Sequence, residues 1–153
     1  MKKRIAARAV IIDNELNTPV ISVRNGVYFK IPGGKIEDGE NLEAGLRREI
    51  KEEAGCEVEI LNKIGESDFF IKEKNLLNHS ICYLAKLVGE RGKPNFDKEE
   101  LERDFSLSWM NIDKAIETFE NCPLITDNNF ELTIHRRDLG FLKKARDIIE
   151  KQK

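Results

Sequence analysis

Residues 33–56 read GGKIEDGENLEAGLRREIKEEAGC, and this stretch decides how the chain is to be read. Asn41 is a good helix N-cap, Leu42 to Ala54 carry helical spacing, and Gly55 stands where a left-handed C-terminal residue is expected. On that predicted helix Glu49, Glu52 and Glu53 lie at i, i+3 and i+4, so they share a face on which their carboxylates can converge. The apolar stripe is Leu46, Ile50 and Ala54. At about 100° per residue, Glu53 projects about 60° from Ile50 and Glu49 about 100°, so both acids flank the buried side of the helix. Clustered carboxylates repel one another unless a cation neutralises them, and oxygen ligands at this density suit Mg²⁺ or Mn²⁺.

In a chain with 19 glutamates, three neighbours alone describe an ordinary solvated helix face. The full spacing is more specific. Gly34, five residues, Glu40, seven residues, Arg48-Glu49-Ile50, one residue, Glu52-Glu53, one residue and Gly55-Cys56 follow one another without a gap. This pattern resembles the Nudix box, G-x5-E-x7-R-E-U-x-E-E-x-G-U with U a bulky apolar residue. Cys56 in the last place is the only mild departure, and a buried cysteine behaves as a small hydrophobe.

The resemblance implies a Nudix-like α/β fold, an αβα sandwich with a mixed β-sheet, and a loop–helix–loop metal site. It implies a catalytic set of Glu49, Glu52, Glu53 and Arg48, with Glu49, Glu53 and Glu52 as metal ligands together with the carbonyl of Gly33. Arg48 would orient the glutamates with Glu40 as its partner, while Gly34, Glu40 and Gly55 shape the loops at either end of the helix. The implied reaction is Mg²⁺-dependent hydrolysis of the diphosphate linkage in a nucleoside diphosphate joined to another moiety. A diphosphate resists attack because its anionic oxygens repel the nucleophile. A metal ion offsets that charge and acidifies a coordinated water. Glu49 is a candidate base, and so are Glu99, Glu100 and Glu102, outside the box. Two other readings of the same scaffold stay open: an isoprenoid-diphosphate isomerase-like enzyme, which needs a catalytic thiol such as Cys82, and a non-catalytic nucleotide-binding module.

Outward from the box, residues 5–12 and 19–24 are predicted strands joined by a polar turn, with a short third strand over Val27 to Ile31 that ends at Pro32-Gly33-Gly34. Two long strands, Glu57 to Ile71 and His79 to Val88, are predicted around a turn at Lys74 to Asn78. A charged loop from Gly89 to Asp104 leads to a strand at Ser106 to Met110, a short helix through Phe119 capped by Asn111 or Asp113, and a last helix over Asp138 to Glu150. The chain reads as one domain over residues 1–153. Tyr28, Phe69, Phe70, Tyr83 and Phe130 are candidates to stack on a base, although core packing explains each of them as well. Arg8, Arg24 and Lys30 precede the box, and His135-Arg136-Arg137 precede the last predicted helix. For these, solvated surface charge is the plainer reading.

A formal net charge of −2, from 26 basic and 28 acidic side chains, argues against an extended nucleic-acid partner and allows a small phosphorylated one. Cys56, Cys82 and Cys122 form no CxxC pair, so neither a zinc site nor a disulfide framework is expected. No stretch has the length of a membrane span. The expectation is a cytoplasmic protein with a small-molecule nucleotide substrate and no membrane partner, for which a homodimer is an allowed assembly.

Overall fold

The computed structural model describes residues Met1–Lys153. Two sheets carry the fold. In the first, β1 (Lys2–Ile12) lies between β4 (Gly33–Lys35) and β6 (Leu76–Val88), and β5 (Glu57–Ile71) closes the order β4-β1-β6-β5. The β1–β6 pairing is parallel, whereas β1–β4 and β5–β6 are antiparallel, so the sheet is mixed. The second sheet is antiparallel, with β2 (Asn17–Val23) between β3 (Tyr28–Lys30) and β7 (Ser106–Asn111).

Strand β1 is buried from Ala6 through Ile11 because both of its faces are covered, which is why its sequence runs apolar with little alternation. One face bears Ala7, Ala9 and Ile11 and packs on Leu46, Ile50 and Ala54 of α1 (Leu42–Ala54). The other bears Val10, beside Cys82 and Leu84 of β6, and packs on Phe141, Leu142 and Ala145 of α4 (Asn129–Lys151). Helix, mixed sheet and helix thus form the αβα sandwich, and α3 (Ile112–Asn121) adds Ala115, Ile116 and Phe119 to the second core.

Helix α1 has the predicted bounds and caps. The Asn41 side chain accepts from the Ala44 N–H, and Gly55 adopts φ 67° while its N–H returns to Ile50 and Lys51. Elsewhere the structure departs from expectation. Gly33–Lys35 is a strand paired to β1, not merely a turn. Strand β6 begins at Leu76, after a 3₁₀ turn at Lys72–Lys74 and a left-handed Asn75. The loop after β6 contains α2 (Lys98–Glu102), closed by a capping box between Asp97 and Glu100. Helix α4 starts at Asn129, so His135-Arg136-Arg137 lie inside it. No helix is long and apolar enough to cross a membrane.

Candidate active site

A cavity of about 290 Å³ opens where the two sheets meet α1, α2 and α4. Arg8 of β1, Lys30 of β3, Gly33 of β4, Glu53 of α1, Glu100 of α2 and Arg137 of α4 all border it. The Gly33-Gly34 pair is what lets these elements approach. Gly33 has φ 152°, and a Cβ there would collide with the Arg8 side chain and the Ala7 carbonyl. At Gly34 a Cβ would stand 2.6 Å from the carboxyl carbon of Glu49.

At the centre of the site Glu53 is 2% exposed. Lys30 Nζ donates to both of its oxygens, at 2.8 and 3.1 Å, and the Gly33 N–H donates to Oε1 at 3.0 Å. The same ammonium reaches the Gly33 carbonyl at 3.2 Å. Burial alone would raise the Glu53 pKa, but the Lys30 charge and the hydrogen bonds outweigh it, and the carboxyl titrates below its ordinary value. Glu100 lies against Glu53, and burial plus that neighbouring carboxylate push its pKa up to about 8. Glu49 is raised as well, by burial first and by repulsion from Glu53 second, while Arg48 opposes both.

Arg48 ties the front of the box to the helix. Its Nε and Nη2 donate to the two oxygens of Glu40 at 2.6 and 2.9 Å, Nη1 reaches Glu49 at 2.9 Å, and Nη2 reaches the Lys35 carbonyl at 3.0 Å. The hydrogen bonds from Arg48 first, and from the Glu37 N–H second, hold Glu40 down to about 2. Glu52 sits 3.5 Å from Arg48 Nη1 with its side chain 36% exposed, outside the cavity lining.

The box glutamates therefore do not form a ready cage of three carboxylates. This differs from the expected convergence, and the reason is electrostatic. Like charges on one helix face separate toward whatever cation is available, so Glu53 turns to Lys30 and Glu49 and Glu52 turn to Arg48. The donor set nonetheless fits a divalent ion. The Gly33 carbonyl and the Glu53 carboxylate already grip a cation, the Lys30 ammonium, through hard oxygens, with Glu49 and Glu100 close enough to feel the Glu53 charge. A metal ion held by Gly33, Glu49 and Glu53, with Glu100 beside it, would supply charge neutralisation and an acidified water.

Of the other residues singled out in the sequence, Tyr28, Phe130, Arg8, Lys30, Arg137, Glu99 and Glu100 line the cavity. Tyr83 faces α1 instead, Phe70 is 45% exposed, and Arg24 is taken up by Glu131 at 2.9 Å. His135 is a buried structural residue, accepting from the Phe29 N–H at 3.0 Å and meeting the Phe119 carbonyl at 2.9 Å. Phe105, Arg103 and Asn78 line the cavity without a sequence signal that marks them. Glu100 did carry one, the Asp97-x-x-Glu100 capping box. Cys82 is fully buried, and burial raises its thiol far above the ordinary range.

The model of the NUDIX domain matches residues 2–128, more than half of the chain. The chain belongs to the NUDIX domain family. It is similar to the "oxidized purine nucleoside triphosphate hydrolase" of Danio rerio, 37% identical over 54% of this chain and 48% of that protein. It is also similar to the "8-oxo-dGTP diphosphatase" of Proteus vulgaris, 37% identical over 37% of this chain and 55% of that one. The chain spans about half the length of these relatives, or less for the Mus musculus protein of the first name, where the share is 30%. Among solved structures, the fold is shared with a MutT protein from Methanosarcina mazei Go1, with TM-score 0.62, 16% identity and coverage of 99% of this chain and 97% of that one. A NUDIX hydrolase from Nitrosomonas europaea gives TM-score 0.64 at 15% identity, covering 91% and 89%. In NUDIX terms, Gly34 to Cys56 is the box, and Phe130, Ile134 and Arg137 of the cavity wall lie beyond the matched segment.

Proposed function

We propose that this NUDIX protein is a Mg²⁺-dependent hydrolase, with Mn²⁺ able to substitute, that cleaves the diphosphate linkage of a nucleoside diphosphate joined to another moiety. The observation that carries this reading is the Lys30–Glu53–Gly33 centre, a buried cation grip of hard oxygens opening onto a cavity with aromatic and cationic walls. Gly33, Glu49 and Glu53 would hold the metal with Glu52 as an outer ligand from the rim, the ion would acidify the attacking water, and Glu100 or Glu49 would be placed to accept its proton. Arg48 orients Glu49 through the Glu40 pair. Phe105 and Phe130 offer faces for a base, whereas Tyr28 is fully buried and only backs the wall.

A nucleoside triphosphate is a nucleoside diphosphate whose extra moiety is a phosphoryl group. The names of the Danio rerio and Proteus vulgaris relatives favour that case, with an oxidised purine as the base. The test is a Mg²⁺-dependent turnover screen over oxidised and ordinary purine nucleoside triphosphates, nucleotide sugars, dinucleoside polyphosphates and ADP-ribose. Turnover of at least one class, abolished by chelation, is expected; none with Mg²⁺ or Mn²⁺ would sink the proposal. An isomerase-like reading is disfavoured by Cys82, whose buried, raised thiol is a poor acid or nucleophile.

A further inference from the structure

Arg8 is 5% exposed, in a strand whose neighbours Ala7, Ala9 and Val10 are wholly buried. Neither its Nε nor its Nη1 has an acceptor within the protein. The nearest carboxylate, Asp138, stands 3.8 Å from Nη1 and is already occupied. Its Oδ1 accepts from Arg137 Nε at 2.9 Å, and its Oδ2 accepts from the Ile31 N–H at 3.0 Å. Ser80 is also in use, accepting from Arg137 Nη1 at 3.3 Å and from Asn78 Nδ2 at 3.3 Å. Two buried guanidinium groups, with side chains each 6% exposed, thus share one carboxylate. The cluster carries an excess positive charge and unspent donors, an arrangement costly enough to call for an anion.

Arg8 is also placed beside the chemistry. Its Cα faces Gly33 across the β1–β4 pair, and Gly33 belongs to the Lys30–Glu53 centre. The guanidinium borders the same cavity.

We propose that Arg8, backed by Arg137, is an anchor for a phosphoryl group of the substrate, binding it independently of the metal. A guanidinium has donors only, in a planar fork that matches phosphate oxygens, and the surplus charge here favours an anion over a neutral carbonyl. Nε and Nη1 are closed to solvent as the side chain lies, so a phosphate oxygen would meet them once the Arg8 side chain shifts toward the cavity it borders, and its charge would offset the surplus of the cluster. The assignment rests on the hydrolase reading for its choice of ligand, and binding alone tests it.

The probes are inorganic pyrophosphate, a purine nucleoside triphosphate and the corresponding nucleoside, titrated calorimetrically in chelator without divalent ions. Losing one charge-assisted contact, Arg8→Met is expected to weaken pyrophosphate and the triphosphate by about tenfold or more, leaving nucleoside affinity unchanged. Arg8→Lys, which keeps the charge and loses the fork, is expected to show a smaller loss in the same two ligands, and it carries the test if the methionine variant fails to fold. Pyrophosphate that does not bind the wild-type protein, or binds both variants as tightly as wild type, overturns the proposal. A nucleoside that loses as much affinity as the triphosphate overturns it too, because Arg8 would then read the base. Arg8-dependent pyrophosphate binding in a protein that turns over no diphosphate would sink the hydrolase reading and leave the anchor standing.

Discussion

Glu53 and Lys30 form a pair with side chains only 3% and 9% exposed, so each depends on the other for its charge. Breaking such a pair leaves an uncompensated ion, at a cost of roughly 3–5 kcal/mol. Lys30→Met should therefore lower the melting temperature in chelator, and Mg²⁺ should recover part of the loss because the ion takes the place of the ammonium. A variant whose stability ignores both the substitution and the metal would show that Glu53 is no cation site. Glu53→Gln also strips Lys30 of its counter-charge, so its melting temperature in chelator should fall, but the amide oxygen still serves Lys30 and the Gly33 N–H and the circular dichroism at room temperature should stay native. Its turnover on any substrate found in the screen should fall by several orders of magnitude, and near-normal turnover would remove α1 from the metal site.

The box helix is an element fixed from both ends. Asn41 caps the Ala44 N–H at 2.8 Å, and Asn41→Ala should cost about 1 kcal/mol, read from chemical denaturation. Gly55 is less forgiving. Its φ of 67° disfavours a side chain, and a Cβ would strike the backbone of Lys93, so Gly55→Ala should destabilise more than the cap variant does. Arg48 joins the β4–α1 loop to the helix through Glu40 and the Lys35 carbonyl. Because this network is partly solvated, Arg48→Ala should cost roughly 1 kcal/mol in stability. The sharper effect should be weaker Mn²⁺ binding by paramagnetic resonance, since Glu49 loses its orienting partner. Equal Mn²⁺ affinity would argue against that positioning role.

Across the whole molecule, acids from α1 and α2 meet in the space between the two sheets, and this contact gives the metal-free protein a pH dependence. Glu100 is raised from 4.5 to about 8 by burial and by Glu53. A carboxyl whose pKa rises on folding binds its proton more tightly in the native state, so its contribution is complete below pH 4.5 and fades as pH climbs to about 8. In chelator, thermal stability should decline through that window, and Glu100→Gln should flatten the decline. A slope that persists unchanged in Glu100→Gln would assign it to other groups.

Elements whose signals are local can be read without the fold. Helix α1 was legible because Asn41, the apolar stripe and Gly55 act within a few residues of one another, and β5 was legible in full from Glu57 to Ile71. The box spacing marked Glu49, Glu53, Arg48 and Glu40 before any neighbour was known. The first turns of α4 were hidden, because its buried face there is polar. Glu131, His135 and Asp138 take the positions where apolar residues are expected, and they are satisfied by Arg24, the Phe29 N–H and the Ile31 N–H, all from the second sheet or the chain beside it. Strand β4 was hidden for a related reason, since three residues become a strand only when β1 lies alongside. Which charges are spent and which remain available depends on the packing of distant segments. Lys30, Arg8 and Arg137 are unremarkable surface candidates in the sequence. Burial removes the water that would have satisfied them, so the partners they find, or lack, across distant segments set what the cavity can bind.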